Sequence, residues 1–231
     1  MIMAIAYKTI VDLTLPVTSH MSVPPANVSL MPPVEFRLYK DAQKDGIQVG
    51  FFQEGIHSGT HLDAPRHLIP DGQTIDQLPL TYFMGKGVCI DCRAAGPNQP
   101  VTAEMLEPCA SRMEEGVIAL LYTGWSDRMF GTREYWFDSP YLGEDAAQWL
   151  VDHGAKMAGY DFFQEIAAKC DHVEPEKFMV HKILLGQGCL NIEHLTNLSP
   201  LLGKEFDVIA LPLRIAGAEG SPTRAVALLK E

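Results

Sequence analysis

The sequence predicts an α/β protein with a mixed β-sheet and flanking helices, and three observations predict it. Strand-like stretches dominate the first third, and helix-like and strand-like stretches alternate through the second half. Between them, Gly116-Val-Ile-Ala-Leu-Leu-Tyr-Thr-Gly124 is apolar over a strand's length and bounded by glycines, the pattern of a strand buried on both faces. With 231 residues the chain is long enough for one sizeable core, so residues 1–231 are read as a single domain.

Taken in order, Met1 to Lys8 reads as a first strand, and Thr9 to Leu15 is β-branched and leucine-rich. Pro16, Pro24, Pro25, Pro32 and Pro33 then punctuate a segment that cannot be helix, a long loop suited to a lid, a pocket wall or surface wrapping. Val34-Glu-Phe-Arg-Leu-Tyr39 alternates as a strand, and Ile47 to Glu54 forms another. A strand is expected at Gly87–Asp91, and Thr102 is placed as the N-cap of a helix running to about Met113. Glu144 to His153 has helical spacing with Gly154 as its stop, and Ala155–Asp161 returns as a strand. Lys182-Ile-Leu-Leu reads as a helix turn, and Cys189–Glu193 and Phe206–Arg214 as further strands.

Composition excludes several function classes. A net charge of −11 repels polyanions, so nucleic acid is not an expected partner. No window approaches ~20 uninterrupted apolar residues and the first residues lack a basic leader, so a cytoplasmic protein without a membrane span is expected. Cysteines at 89, 92, 109, 170 and 189 are scattered and odd in number, unlike a disulfide framework. Cys89-Ile-Asp-Cys92 has redox spacing, but it runs along a strand into a turn and reads as structural.

The chemistry concentrates in His57-Ser-Gly-Thr-His61-Leu-Asp63-Ala-Pro65-Arg-His67, which holds three of the eight histidines and a carboxylate. Neutral imidazole and carboxylate are ligands for zinc, manganese or iron, and so tight a cluster reads as half of a metal site. The four chemical residues have odd numbers, so an extended chain would put them on one face. Straight strand nevertheless separates residues four apart by about 13 Å, near the limit for two imidazoles on one ion. The chain must bend at Ser58-Gly59-Thr60. A zinc-protease helix is excluded, because Ser58 stands where its glutamate would follow the first histidine.

This stretch carries every fixed position of the signature His-x-Gly-Thr-His-x-Asp-x-Pro-x-His, and with it the chain resembles the cyclase family of metal-dependent hydrolases, which includes kynurenine formamidases and isatin hydrolases. Asp12-Leu13-Thr14 with Met21, Thr123-Gly124-Trp125, Gly159-Tyr-Asp161 and Gly220-Ser221-Pro222-Thr-Arg224 extend the likeness along most of the chain. The resemblance implies a fold of the swivelling β/β/α type and hydrolysis of a C–N amide bond, in an arylformamide or cyclic amide, by a metal-activated water. It implies one or two divalent ions, zinc first and manganese second, held by His57, His61, Asp63, His181 and Glu193, with His67 as a catalytic proton carrier. It also implies a small-molecule substrate and a homo-oligomer. Lactonase or cyclase activity, or non-catalytic metal or small-molecule binding, are the alternatives. Phe51, Trp125 and Phe162 are expected to line the substrate pocket. The loop around Ser22-Val-Pro24-Pro25-Ala-Asn-Val and the Phe162-Phe163-Gln164 run depart from the family, so substrate identity is where this chain differs. Asp161, Asp171 and His172 are read as structural polar groups, and His20, His153 and His194 are given no role at the site.

Overall fold

The computed structural model describes residues 7–19, 21, 33–169 and 174–230. Most of the expected strand over Met1–Lys8, most of the proline-rich loop, and Cys170, Asp171 and His172 lie outside the described residues. The strands are β1 (Thr9–Asp12), β2 (Glu35–Lys40), β3 (Val49–Gln53), β4 (His61–Asp63), β5 (Met84–Asp91), β6 (Pro100–Val101), β7 (Val117–Tyr122), β8 (Tyr141–Leu142), β9 (Ala155–Tyr160), β10 (Leu190–Glu193), β11 (Phe206–Ile209), β12 (Gly220–Pro222) and β13 (Val226–Leu229). The α-helices are α1 (Ala42–Asp45), α2 (Ala103–Leu106), α3 (Trp125–Met129), α4 (Glu134–Phe137), α5 (Glu144–Asp152) and α6 (Met179–Gly186).

Among the described residues the main sheet runs β1-β13-β11-β5-β7-β9-β10-β4-β12. Its centre, β5-β7-β9-β10, is parallel, and antiparallel strands extend it on both sides. This is the mixed α/β architecture that the sequence predicts. β7 is buried at every position, as a strand covered on both faces must be. Its alternate residues Val117, Ala119 and Leu121 belong to a core with Trp149, Leu150 and Leu184 from α5 and α6. Ile118 and Leu120 point the other way, into a core with Leu62, Ile192, Phe206 and Leu13.

The helix expected from Thr102 to about Met113 is shorter. Only Ala103–Leu106 is α-helical, and Glu107–Arg112 continues as a 3₁₀ turn. Pro108 is the physical reason, since it has no N–H to donate into an α-helical ladder. The Thr102 side chain does not cap the helix either; the Asp145 carboxylate accepts the Ala103 N–H from across the fold (2.9 Å). At the far end, β13 joins β1 to β11, and the Arg224 guanidinium just before it pairs with Asp12 (2.6 and 2.9 Å). The two chain segments quoted above from opposite ends of the sequence are therefore neighbours. Cys89 and Cys92 are both buried, and burial pushes the Cys89 thiol up to about 12, as suits a structural pair rather than a redox one. No helix among the described residues is long and apolar enough to cross a membrane.

Candidate metal centre

The site forms where the parallel strands end. β4 lies antiparallel between β10 and β12, and the register sets His61 opposite Glu193 and Asp63 opposite Asn191. His61 and Asp63 are two residues apart on one strand, so both side chains leave the same face. His57 reaches them because the chain turns at Gly59, whose φ of +58° is open to glycine and strained for other residues. Thr60 locks that turn: its hydroxyl donates to the His194 carbonyl (2.6 Å) and accepts the Leu15 N–H (2.9 Å). A 3₁₀ turn over Pro65–His67 brings His67 back, its ring 4.1 Å from that of His57 and 5.7 Å from that of His181. His181 arrives from the first turn of α6.

Asp63 is the hub. Its Oδ1 lies 2.9 Å from His57 Nδ1 and 3.4 Å from His61 Nε2, while Oδ2 lies 3.6 Å from His181 Nε2. Glu193 places Oε1 3.0 Å from His181 Nε2 and Oε2 3.6 Å from His61 Nε2. Asn191 donates to Asp63 Oδ2 (3.2 Å) and accepts from the Tyr160 hydroxyl (3.3 Å), which anchors the hub to β9. Three sets of donor atoms lie close enough to share an ion: His57, Asp63 and His67; Asp63, His181 and Glu193; and His61, Glu193 and His194.

Proton placement shows that these residues fit a cation. His61 Nδ1 donates to the Gly59 carbonyl (2.8 Å), so in the neutral ring Nε2 carries a lone pair. That lone pair faces two carboxylates, and Nε2 is a buried polar atom without a hydrogen-bond partner. Facing lone pairs repel, and a divalent ion among them reverses the sign of the interaction. Burial alone would disfavour the Asp63 carboxylate, but His67, His181, His57 and His61 outweigh it and hold the group well below the ordinary carboxylate range. For His181, burial opposes charge, yet hydrogen bonds to Asp63, Glu165 and Glu193 raise its pKa well above the ordinary value. His57 is likewise disfavoured by burial but raised to about 9 by Asp63 and Glu219. His67 goes the other way. Burial pushes it down to about 4, so it is a neutral imidazole at pH 7.

The structure thus brings His57, His61, Asp63, His67, His181 and Glu193 into one cluster. It also adds residues that local sequence did not single out. His194, to which the sequence assigns no role, is buried against the site with φ +55°, its Nδ1 2.8 Å from the Tyr135 hydroxyl and its Nε2 3.7 Å from Glu193. The only signal in the sequence was its place beside Glu193. Gln164, placed above in a departing pocket wall, is fully buried and its amide donates to Glu193 Oε1. Glu165 contacts His181 Nδ1 (3.1 Å), and Glu219 lies 3.4 Å from His57 Nε2. His153 lies away from the site, bonded to the Trp149 carbonyl and stacked on that indole. Asp161 is structural, accepting the Thr123 N–H and hydroxyl and the Gly124 N–H, which ties the ends of β7 and β9 together.

The residues expected as pocket walls lie in the core or on the β2–β3 hairpin. Trp125 is 3% exposed, its indole N–H donating to the Tyr135 carbonyl, and Phe162 is 0% exposed with its ring against Tyr160. Both are core residues on the helix-covered face of the sheet, because the turns after β7 and β9 direct them inward. Phe51 stands on the β2–β3 hairpin, edge-on to Tyr39 with Arg37 over its ring.

Known proteins match this chain in both sequence and fold. The putative cyclase family model matches residues 11–164. The chain is 30% identical over 190 residues to a kynurenine formamidase of Salinibacter ruber, covering 81% of this chain and 82% of the relative. It is 30% identical over 238 residues to an isatin hydrolase of Roseibium aggregatum, covering 93% and 88%. Among solved structures, an isatin hydrolase bound to the product analogue thioisatinate superposes with a TM-score of 0.82 at 28% identity, covering 96% of this chain and 92% of that one. With the signature intact on β4 and its surroundings, the chain belongs to the cyclase family.

Proposed function

We propose that this chain is a metal-dependent amidohydrolase that opens an arylformamide or a cyclic aryl amide. The observation that carries the reading is His61 Nε2, a buried lone pair aimed at the carboxylates of Asp63 and Glu193. Asp63, His181 and Glu193 would hold one ion, and a second would draw on His57 and His61, which both face the other oxygen of Asp63. A divalent ion held there, zinc or manganese by ligand type, would supply carbonyl polarisation and a lowered pKa for water. His67, neutral and at the rim of the cluster, is the residue to take a proton from water and return it to the departing nitrogen. Asn191 and Gln164 keep Asp63 and Glu193 from turning away.

The test uses purified protein loaded with Zn²⁺ or Mn²⁺ against aryl formamides, cyclic aryl amides and lactones of matched size. Amide hydrolysis that vanishes on chelation and returns with the ion is expected. Turnover of lactones alone would transfer the reading to ester chemistry, and a metal-replete protein inert on the whole panel would overturn it.

A homo-oligomer is part of the same proposal, supported by the β2–β3 hairpin. Phe36, Leu38, Tyr39, Phe51 and Phe52 are between 37% and 63% exposed there, although a two-stranded hairpin is at best marginal alone in water. Apolar surface on that scale marks an interface, and a second copy of the chain would cover it. Light scattering at micromolar concentration should give a dimer or larger, and Phe52→Asp should shift it toward monomer. A wild-type monomer at that concentration would refute the oligomer.

A further inference from the structure

We propose that Glu165 is a positioning residue for the metal centre: it holds the proton on His181 Nδ1 and thereby leaves His181 Nε2 free as a ligand. The proposal rests on the reading of Asp63, His181 and Glu193 as an ion site.

The geometry is specific. Glu165 is 1% exposed and follows β9, while His181 lies on α6. Glu165 Oε2 is 3.1 Å from His181 Nδ1 and 3.4 Å from the His181 backbone nitrogen. A carboxylate accepts and does not donate, so the bonded Nδ1 must carry the hydrogen. The Nε2 atom then points at Glu193 Oε1 and Asp63 Oδ2, where a second ring proton sits in the metal-free protein and an ion would take its place.

His61 meets the same need differently, giving its Nδ1 proton to the carbonyl of Gly59 two residues away. For His181 the acceptor at Nδ1 is a side chain from another element, Glu165. Without Glu165 the neutral ring is free to carry its proton on Nε2 and donate it to Glu193, which would turn a ligand into a hydrogen-bond donor. Burying a carboxylate is costly unless it is paired, and its pairing here is with a ring whose tautomer bears on whether the site accepts an ion. The same carboxylate faces the first turn of α6, where Phe178 provides no side-chain cap, so ring and helix are pinned from one point.

The experiment uses full-length protein with ¹⁵N-labelled histidine, read by long-range ¹H–¹⁵N correlation, together with Zn²⁺ titration of the metal-free protein. In the zinc-loaded wild type, His181 should show a protonated Nδ1 and a metal-bound Nε2. Glu165→Ala should weaken binding of the ion at Asp63, His181 and Glu193 by about 10- to 100-fold, and Glu165→Gln, which keeps an acceptor oxygen, should recover most of it. A wild-type His181 protonated on Nε2, or a folded Glu165→Ala protein with unchanged zinc stoichiometry and affinity, would overturn the proposal. If Glu165 only capped α6, the alanine variant would melt lower yet bind zinc normally. If Glu165→Ala does not fold, the wild-type spectrum decides alone. His181→Ala separates the two layers: full zinc retention in that variant defeats the ion-site reading itself, whereas loss there with none in Glu165→Ala defeats only the role of Glu165.

Discussion

Asp63→Asn is expected to strip the protein of its ion and lower amide hydrolysis by about 10³- to 10⁴-fold, the equivalent of removing about 4 to 6 kcal/mol of transition-state stabilisation. Asp63 faces both halves of the site, with Oδ1 toward His57 and His61 and Oδ2 toward His181. Asparagine keeps the shape but loses the charge, and it also sets an amide N–H₂ against whichever donor it meets. Asn191 already donates to Oδ2, so the variant amide must turn its oxygen there and its nitrogen toward the histidines. The stability readout is independent of substrate. An ion at about 100 times its Kd stabilises the wild type by about 2.7 kcal/mol, a rise of roughly 5–10 °C in Tm for a chain of this size. That metal-induced shift should disappear in Asp63→Asn. Unchanged metal content by elemental analysis, or a wild-type Tm response, would refute the assignment of Asp63.

His67→Ala is expected to cut kcat by about 10²- to 10⁴-fold while leaving metal content at the wild-type level, the contribution typical of a positioned general acid or base. The pairing of these two readouts matters, since a His67 nitrogen is also within ligand reach of His57 and Asp63. Metal loss in His67→Ala would make it a ligand instead. The pH profile gives a second check. Burial places the His67 pKa at about 4, and a nearby ion pushes it lower still. The active, unprotonated form is thus complete above about pH 5 and is lost as the pH falls through 4, so the acidic limb due to His67 should lie near pH 4 or below, not near 6.5. An acidic limb at 6.5 that vanishes in the variant would contradict the burial of this ring.

Much of the site was legible along the chain because its first half is local. His57, Gly59, Thr60, His61, Asp63 and His67 lie within one short stretch, and the reach of a strand alone demands the bend found at Gly59. His181 and Glu193 needed the resemblance, for nothing in their own neighbourhoods marks a lone histidine on an apolar helix or a glutamate at a strand end. Glu165, His194 and Gln164 were beyond reach, because their chemistry consists of contacts between elements that are remote in sequence. For Trp125 and Phe162 residue type alone does not decide the place. Aromatic residues just past strand ends suit a pocket wall and a core equally well by type, and only the course of the turns after β7 and β9 sends both into the core.

By itself, then, the sequence determined the buried central strand, the alternation that yields a mixed α/β sheet, and a bent ligand stretch whose residue types suit a divalent ion. Only the tertiary structure decided that β4 pairs with β10 so that Glu193 faces His61, that α6 delivers His181 to the other side of Asp63, and that Glu165 waits behind it. The reason is physical: periodicity and ligand chemistry are properties of a few consecutive residues, whereas the register of a strand and the tautomer of an imidazole are set by whichever distant group the fold places within 3 to 4 Å.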